Sequence, residues 1–169
     1  MLLDQLLGAK IHAVTNGQDC NEYAKSLMNT LIKEGRKPYY IPMGGSNVIG
    51  SFGYLSCALE ILQQLANDNI NIDKIVLASG SAGTQAGLLA GLISANSDIP
   101  VLGINVSRPE KEQNELVENL LKEILIELQL DPNRAEGRVD TNGNYYGDGY
   151  GVTTTAMIDA LRRCAQLEG

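Results

Sequence analysis

The run Ile-Val-Leu-Ala-Ser-Gly-Ser-Ala-Gly-Thr-Gln-Ala-Gly at residues 75–87 most constrains the fold. Residues 74–78 are almost all apolar, as expected of a strand buried on both faces. Small residues follow at 79–83, and a helix rich in glycine, alanine and leucine is predicted over residues 84–94. Gly87 and Gly91 would let this helix approach its neighbours closely. A strand that passes directly into a helix is the building unit of α/β proteins.

Helix and strand patterns alternate along the rest of the chain. Further strands are predicted at residues 11–14, 39–41 and 101–106, and further helices at residues 2–7, 51–65 and 112–129. The last of these has one wide apolar face made of Leu116, Val117, Leu120, Leu121, Ile124, Leu125 and Leu128. This alternation predicts an α/β fold, in which a mostly parallel sheet carries helices on both faces.

Two more helices are indicated by their N-terminal residues. Asp19 followed by Glu22 resembles a capping box, and the helix after it would extend to Gly35. Thr153 is predicted to cap the last helix. The inward face of that helix would be formed by Met157, Ala160, Leu161 and Cys164.

Charge and cysteine content exclude several classes of partner. The formal net charge is −7 and no run is rich in lysine or arginine, so nucleic acid and anionic membranes are not expected partners. Cys20, Cys57 and Cys164 are widely spaced, which predicts neither a disulfide framework nor a zinc site. Reduced thiols indicate a cytoplasmic protein. No metal site is predicted.

The small-residue loop is a candidate phosphate site. Small residues let several backbone N–H groups converge, and the helix that follows adds its own unpaired N–H groups and the positive end of its dipole. A tight turn without a ligand is the plain alternative. A P-loop would need a lysine in the loop, and residues 79–84 contain none.

A dinucleotide-binding loop is a weaker match. Its Gly-x-Gly-x-x-Gly spacing is not reproduced by Gly80, Gly83 and Gly87. The acid expected after the next strand is replaced by Asn105 and Ser107. Arg108 could imitate a contact to a 2′-phosphate, so a nucleotide-binding oxidoreductase domain stays an alternative.

Three segments, in the expected order, resemble one enzyme family. They are Ala-Ser-Gly-Ser-Ala-Gly-Thr-Gln-Ala-Gly at residues 78–87, Tyr-Ile-Pro-Met-Gly-Gly-Ser-Asn at residues 40–47, and Tyr150-Gly151 before the helix that ends at residues 163–169. Together they resemble the pyridoxal-phosphate (PLP) enzymes of the D-cysteine desulfhydrase and 1-aminocyclopropane-1-carboxylate (ACC) deaminase family. The resemblance implies a two-domain fold like that of the tryptophan synthase β subunit. Residues 1–43 would belong to the smaller domain and residues 44–169 to the larger, PLP-binding domain.

The resemblance also implies the site residues. The PLP phosphate would be held by backbone amides of Gly80, Ser81, Ala82, Gly83 and Thr84. Tyr150 matches a tyrosine that lines the family's substrate pocket near the cofactor, and is the candidate catalytic residue; its alternative role is to anchor its loop. Ser46 and Asn47 are expected to hold the turn between the domains.

The implied activity is that of a lyase or deaminase of small amino acids. The loop resembles the D-cysteine desulfhydrase branch more closely, so the expected reaction converts D-cysteine to pyruvate, sulfide and ammonia. ACC deaminase, which releases 2-oxobutanoate and ammonia, is the alternative.

The family's Schiff-base lysine has no match in this chain. That lysine follows a Gly-Gly-Asn run, which would precede residue 1. None of the lysines present has this context; they are Lys10, Lys25, Lys33, Lys37, Lys74, Lys111 and Lys122. The chain is therefore expected to be truncated at both ends, and whether it is an enzyme stays open. A non-catalytic remnant or binding module is an alternative. Exposed sheet edges would favour a homo-oligomer.

Overall fold

The computed structural model describes residues 2–15 and 17–169. By contacts, the chain divides into two compact units, Met1–Pro42 and Met43–Gly169. The boundary falls directly before the Gly44-Gly45 turn. The assignment of these units to the smaller and larger domains of a PLP-enzyme fold stays a prediction.

The N-terminal unit contains two helices, α1 (Leu2–Leu6) and α2 (Cys20–Lys33). The Asp19 carboxylate caps α2 by accepting from the Asn21 amide at 2.7 Å. Glu22 does not complete a capping box, because its carboxylate pairs with Lys25 at 2.9 Å. The strands predicted at residues 11–14 and 39–41 are wrong: both segments are irregular. An apolar run forms a strand only where a second strand pairs with it, and neither segment is paired in the described chain.

The C-terminal unit contains a three-stranded parallel sheet in the order β1-β2-β3. The strands are β1 (Ile75–Ser79), β2 (Val101–Asn105) and β3 (Asp140–Asn142). The helices are α3 (Val48–Asp68), α4 (Gly83–Ser94), α5 (Glu110–Glu127) and α6 (Thr155–Glu168), with 3-10 turns at Met43–Gly45 and Pro132–Ala135. These elements confirm the predicted α/β fold with a parallel sheet.

The core of this unit lies around α4 and α5, which pack against each other and against the strands. Its largest buried apolar side chains are Leu89, Leu92, Ile93, Leu121, Ile124 and Leu125. The apolar face predicted on α5 therefore faces the core, apart from Leu116, which is 39% exposed. Parallel register places Ser79 opposite Asn105, so β1 and β2 end side by side.

Two glycines allow α3 and α4 to pack closely. A Cβ on Gly91 would lie 2.6 Å from the Ala58 Cβ, and one on Gly87 would collide with the Ser51 carbonyl oxygen. In both cases the added methyl group would lie closer than van der Waals contact allows. The expectation that these glycines permit close helix packing is confirmed.

The last helix differs from its prediction. Its N-cap is Thr154, whose hydroxyl accepts from the Met157 amide at 3.1 Å, so the cap lies one residue after Thr153. The predicted inward face is wrong, since Leu161 is 68% exposed and Cys164 is also exposed. Helical periodicity identifies an apolar face, but it does not supply the surface that covers it.

No helix within residues 2–15 and 17–169 has both the length and the apolar character needed to cross a bilayer.

The glycine contacts predict opposite effects for two equivalent substitutions. Gly91→Ala should lower the free energy of unfolding by about 1–3 kcal/mol, because the new methyl group overlaps α3. Gly53→Ala on α3 has no neighbour within 4 Å of the new methyl group. It should raise stability by about 0.5–1 kcal/mol through helix propensity. Urea unfolding of both variants checks this, and equal shifts in the same direction would contradict the packing.

The exposed edge strand predicts self-association. β1 is an edge strand of the sheet, and Val76 on it is 58% exposed, so the prediction that this strand is buried on both faces is wrong. Val76→Lys should reduce association, because a charge on an edge strand disfavours pairing with another chain. Ile126→Lys, at a 61% exposed position on α5, is the control. Light scattering over a concentration series measures this; a wild-type chain that stays monomeric throughout contradicts it.

Candidate functional site

A cavity of about 620 Å³ opens where β1 and β2 end. In open α/β sheets, ligands bind at this carboxyl edge of the strands. The cavity is lined by Met43, Gly44, Ala78, Ser79, Gly80, Ser81, Ala82, Thr84, Gln85, Val106, Ser107, Arg108 and Tyr150.

The start of α4 leaves backbone donors without partners inside the helix. Its first backbone bond runs from the Ala86 amide to the Ala82 carbonyl at 3.0 Å. The amides of Thr84 and Gln85 therefore have no acceptor within the helix. Ala82, the N-cap residue, has no side-chain acceptor and takes a left-handed conformation with φ +77°. This arrangement leaves N–H groups and the positive end of the helix dipole beside the cavity.

Ser46 supports the loop from a distant part of the chain. Its Oγ accepts from the Gly83 amide at 3.2 Å and donates to Ser81 Oγ at 2.8 Å. Gly44 has φ +70°, and a Cβ there would collide with Ser81 Oγ. The turn at residues 44–46 thus lies directly against the loop. Asn47 has a separate role, because its side chain caps α3 by accepting from the Gly50 amide at 2.7 Å.

A layer of buried polar side chains lies beneath the loop. Ser79 and Gln85 are joined by a bond of 2.7 Å from Ser79 Oγ to Gln85 Oε1. Gln113 on α5 donates from Nε2 to Ser79 Oγ at 2.9 Å. Gln85 Nε2 donates in turn to the Asp140 carbonyl at 2.8 Å. Buried polar groups need such partners, and these bonds connect β1, α4, α5 and β3.

Arg108 is the charged residue among those that line the cavity in the described chain. Its Nη1 donates to the Gly80 carbonyl at 2.8 Å. The Arg108 carbonyl accepts from Asn105 Nδ2 at 3.0 Å, which fixes the backbone after β2. The guanidinium therefore adds a positive charge next to the loop without contacting an acid.

Most of the predicted site residues meet at this cavity. Gly80, Ser81, Ala82 and Thr84 line it, and so does Tyr150, whose side chain is 79% exposed. Gly83 does not line the cavity, because its amide points to Ser46. Their roles in binding or catalysis stay predictions.

The residues that support the loop are only weakly indicated by sequence patterns. Gln113 precedes Val117 by one helical turn and so continues the apolar face of α5. Gln85 stands among the fully buried residues of α4. A lone amide on an otherwise apolar helix face is the signal that could have identified both residues.

The cavity fits an anionic group. Unpaired helix amides and a guanidinium face it, and no aspartate or glutamate is among its lining residues in the described chain. Such a site at a helix start binds phosphate. Within residues 43–169, no lysine lines the cavity. In the N-terminal unit, the hydrogen bond to Glu22 and the charge of that carboxylate raise the pKa of Lys25, which disfavours its neutral, nucleophilic form.

Comparison with known proteins defines the class. The sequence pattern of the family described as pyridoxal-phosphate dependent enzyme matches residues 1–169. The chain belongs to this family, whose cofactor is PLP. The crystal structure of an ACC deaminase homologue is similar, with a TM-score of 0.84 and 35% sequence identity. The match covers 99% of this chain and 50% of that chain, so this chain spans about half the length of that solved relative.

The contact of Ser46 with Gly83 predicts a stability effect. Ser46→Ala should lower the free energy of unfolding by about 1 kcal/mol, because it removes the acceptor that caps α4. Ser56→Ala, at an exposed position on α3, is the matched control. Urea unfolding compares the two variants. Equal stability of the two variants would show that the Ser46 hydroxyl does not cap the helix.

Proposed function

We propose that this chain holds the phosphate group of PLP at the start of α4 and acts as part of a PLP-dependent lyase or deaminase of small amino acids. The supporting observation is the cavity at the end of β1, onto which the start of α4 opens with the Thr84 and Gln85 amides free of acceptors within the helix. The family assignment supplies the cofactor. The nucleotide-binding alternative has no comparable support.

The proposed roles follow from the lining of the cavity. The backbone amides of Gly80, Ser81, Ala82 and Thr84 would bind the phosphate oxygens, and Arg108 would offset the phosphate charge. The Gly83 amide, which the sequence also suggested, already donates to Ser46 Oγ. When bound, PLP supplies an electron-accepting ring that stabilises negative charge on a substrate carbon. Tyr150 would contact the substrate, and its phenol would hold or pass a proton. The small side chains of residues 79–82 leave room for the phosphate.

Two substrates are supported by different observations. The loop sequence at residues 78–87 resembles the D-cysteine desulfhydrase branch, so D-cysteine is the substrate we favour. The solved ACC deaminase homologue at 35% identity supports the cyclopropane substrate equally well. Assays for sulfide and pyruvate from D-cysteine, and for 2-oxobutanoate from ACC, distinguish the two activities.

A cytoplasmic location is part of the proposal. Cys20, Cys57 and Cys164 are free thiols, which agrees with a reducing compartment.

A charge substitution tests phosphate binding at the loop. Thr84→Asp places a carboxylate in the first turn of α4, where it should weaken PLP binding about tenfold or more by repelling the phosphate. The folded state should tolerate it, because an acid stabilises a helix start. Thr84→Asn has the same shape without the charge and should retain most of the affinity. Fluorescence titration with PLP, and with pyridoxal as the ligand without phosphate, measures the difference.

Two outcomes bear on the proposal directly. If the wild-type chain binds PLP no better than pyridoxal, phosphate recognition at this loop is refuted. If it binds PLP, borohydride reduction and peptide mass analysis follow. A pyridoxyl-lysine would identify a reactive amine within this chain, and bound cofactor without that product would favour a binding module.

A further inference from the structure

The Gly80 carbonyl oxygen accepts two hydrogen bonds. Arg108 Nη1 donates to it at 2.8 Å and Gln113 Nε2 at 3.1 Å. A carbonyl oxygen has two lone pairs, and here each has a donor. Gln113 is fully buried, so it holds the oxygen from the side of the buried layer, whereas Arg108 holds it from the lining of the cavity.

The orientation of this carbonyl fixes the next amide. No peptide bond in the described chain is cis. In a planar trans peptide, the C=O of Gly80 and the N–H of Ser81 point in opposite directions. Because the oxygen is bonded to Gln113 in the buried layer, the Ser81 amide points away from Gln113, on the side where Ser81 lines the cavity.

The Gly80–Ser81 peptide needs this support because glycine constrains it weakly. Gly80 has no side chain, so rotation of the peptide meets little steric resistance from that residue. Turning the peptide over would direct the carbonyl oxygen, an acceptor with partial negative charge, at the cavity. A bound phosphate would then meet repulsion where it now meets a donor.

We infer that Gln113 is a positioning residue for the phosphate site: it holds the Gly80–Ser81 peptide so that the Ser81 amide faces the ligand. This inference rests on the proposed function. Gln113 does not line the cavity, so it acts through the peptide and not by contact. Its Nε2 group bonds both Ser79 Oγ and the Gly80 carbonyl.

Stability alone does not account for an amide at this position. Gln113 Oε1 is buried without a hydrogen-bond partner, which is unfavourable. An apolar side chain of similar length would remove that unpaired acceptor. It would leave no other group unpaired, because Ser79 Oγ still bonds Gln85 and the Gly80 carbonyl still accepts from Arg108. The donor end of the amide, directed at the loop, is what an apolar residue could not replace.

The experiment compares Gln113→Met with the wild-type chain and with Gln64→Met, the same change at an exposed position on α3. Titrations with PLP and with pyridoxal give the preference for the phosphate. Nitrogen–proton NMR spectra without ligand report the Ser81 amide. We expect the preference for PLP over pyridoxal to fall about three- to tenfold in Gln113→Met, with a shifted Ser81 amide and unchanged pyridoxal affinity. Gln64→Met should change none of these.

Two results for Gln113→Met would overturn the inference. One is a Ser81 amide signal at its wild-type chemical shift; the other is a changed chemical shift with an undiminished preference for PLP. Gln113→Asn, whose amide is one carbon shorter and cannot reach Gly80, gives the same comparison if the methionine variant does not fold. A wild-type chain without any preference for PLP would refute the proposed function instead. In that case the chemical shift of the Ser81 amide still shows whether Gln113 sets the orientation of the Gly80–Ser81 peptide.

Discussion

The start of α4 depends on hydrogen-bond acceptors that the helix does not supply itself. Its N-cap residue, Ala82, has no side-chain acceptor and is held in the left-handed region at φ +77°. That conformation costs a residue other than glycine about 1–2 kcal/mol, and such strain is usually found at functional sites. Ser46 satisfies the Gly83 amide from 37 positions away. The amides of Thr84 and Gln85 remain available to a ligand or to water.

The rest of the C-terminal unit holds this helix start in place. Gly87 and Gly91 allow α4 to pack closely against α3, so a shift of α4 would disturb both helices. Below the loop, a Cβ on Gly103 would collide with Gln85, which shows how tightly that amide is enclosed. Three buried side-chain oxygens of the described chain have no hydrogen-bond partner: Asn105 Oδ1, Gln113 Oε1 and Asn114 Oδ1. Of these residues, Gln113 also donates through Nε2 to Ser79 Oγ and to the Gly80 carbonyl, so its amide holds the loop.

The elements that were predicted correctly from the sequence are those whose apolar residues pack against neighbouring elements of the same unit. The strand, loop and helix at residues 75–94 and the long helix α5 were identified because a continuous apolar run and a wide apolar face both lead to the core. β3 was not predicted, since Asp-Thr-Asn has no apolar pattern and pairs only because β2 offers an edge. The exposure of α6 and the irregular segments at residues 11–14 and 39–41 depend on packing partners that a local pattern does not contain. At the site, small residues indicated the loop, whereas Gln85, Gln113 and Arg108 act through contacts across 6 to 55 positions.

The two ends of α4 differ in the charged side chains that the protein places beside them, and this difference argues for an anionic ligand. At its C-terminal end, Arg134 donates to the Ile93 carbonyl at 2.6 Å, so the protein supplies a cation to the negative end of the dipole. The N-terminal end has no acid in the first turn. The other helices of the described chain each have a side-chain cap or an early acid: Asp4 in α1, Asp19 for α2, Asn47 for α3, Glu110 and Glu112 in α5, and Thr154 for α6. Ser46 supplies a neutral acceptor to this end of the helix. Any negative partner for α4 would come from outside the helix, and the cavity beside it is where a phosphate group would provide that charge.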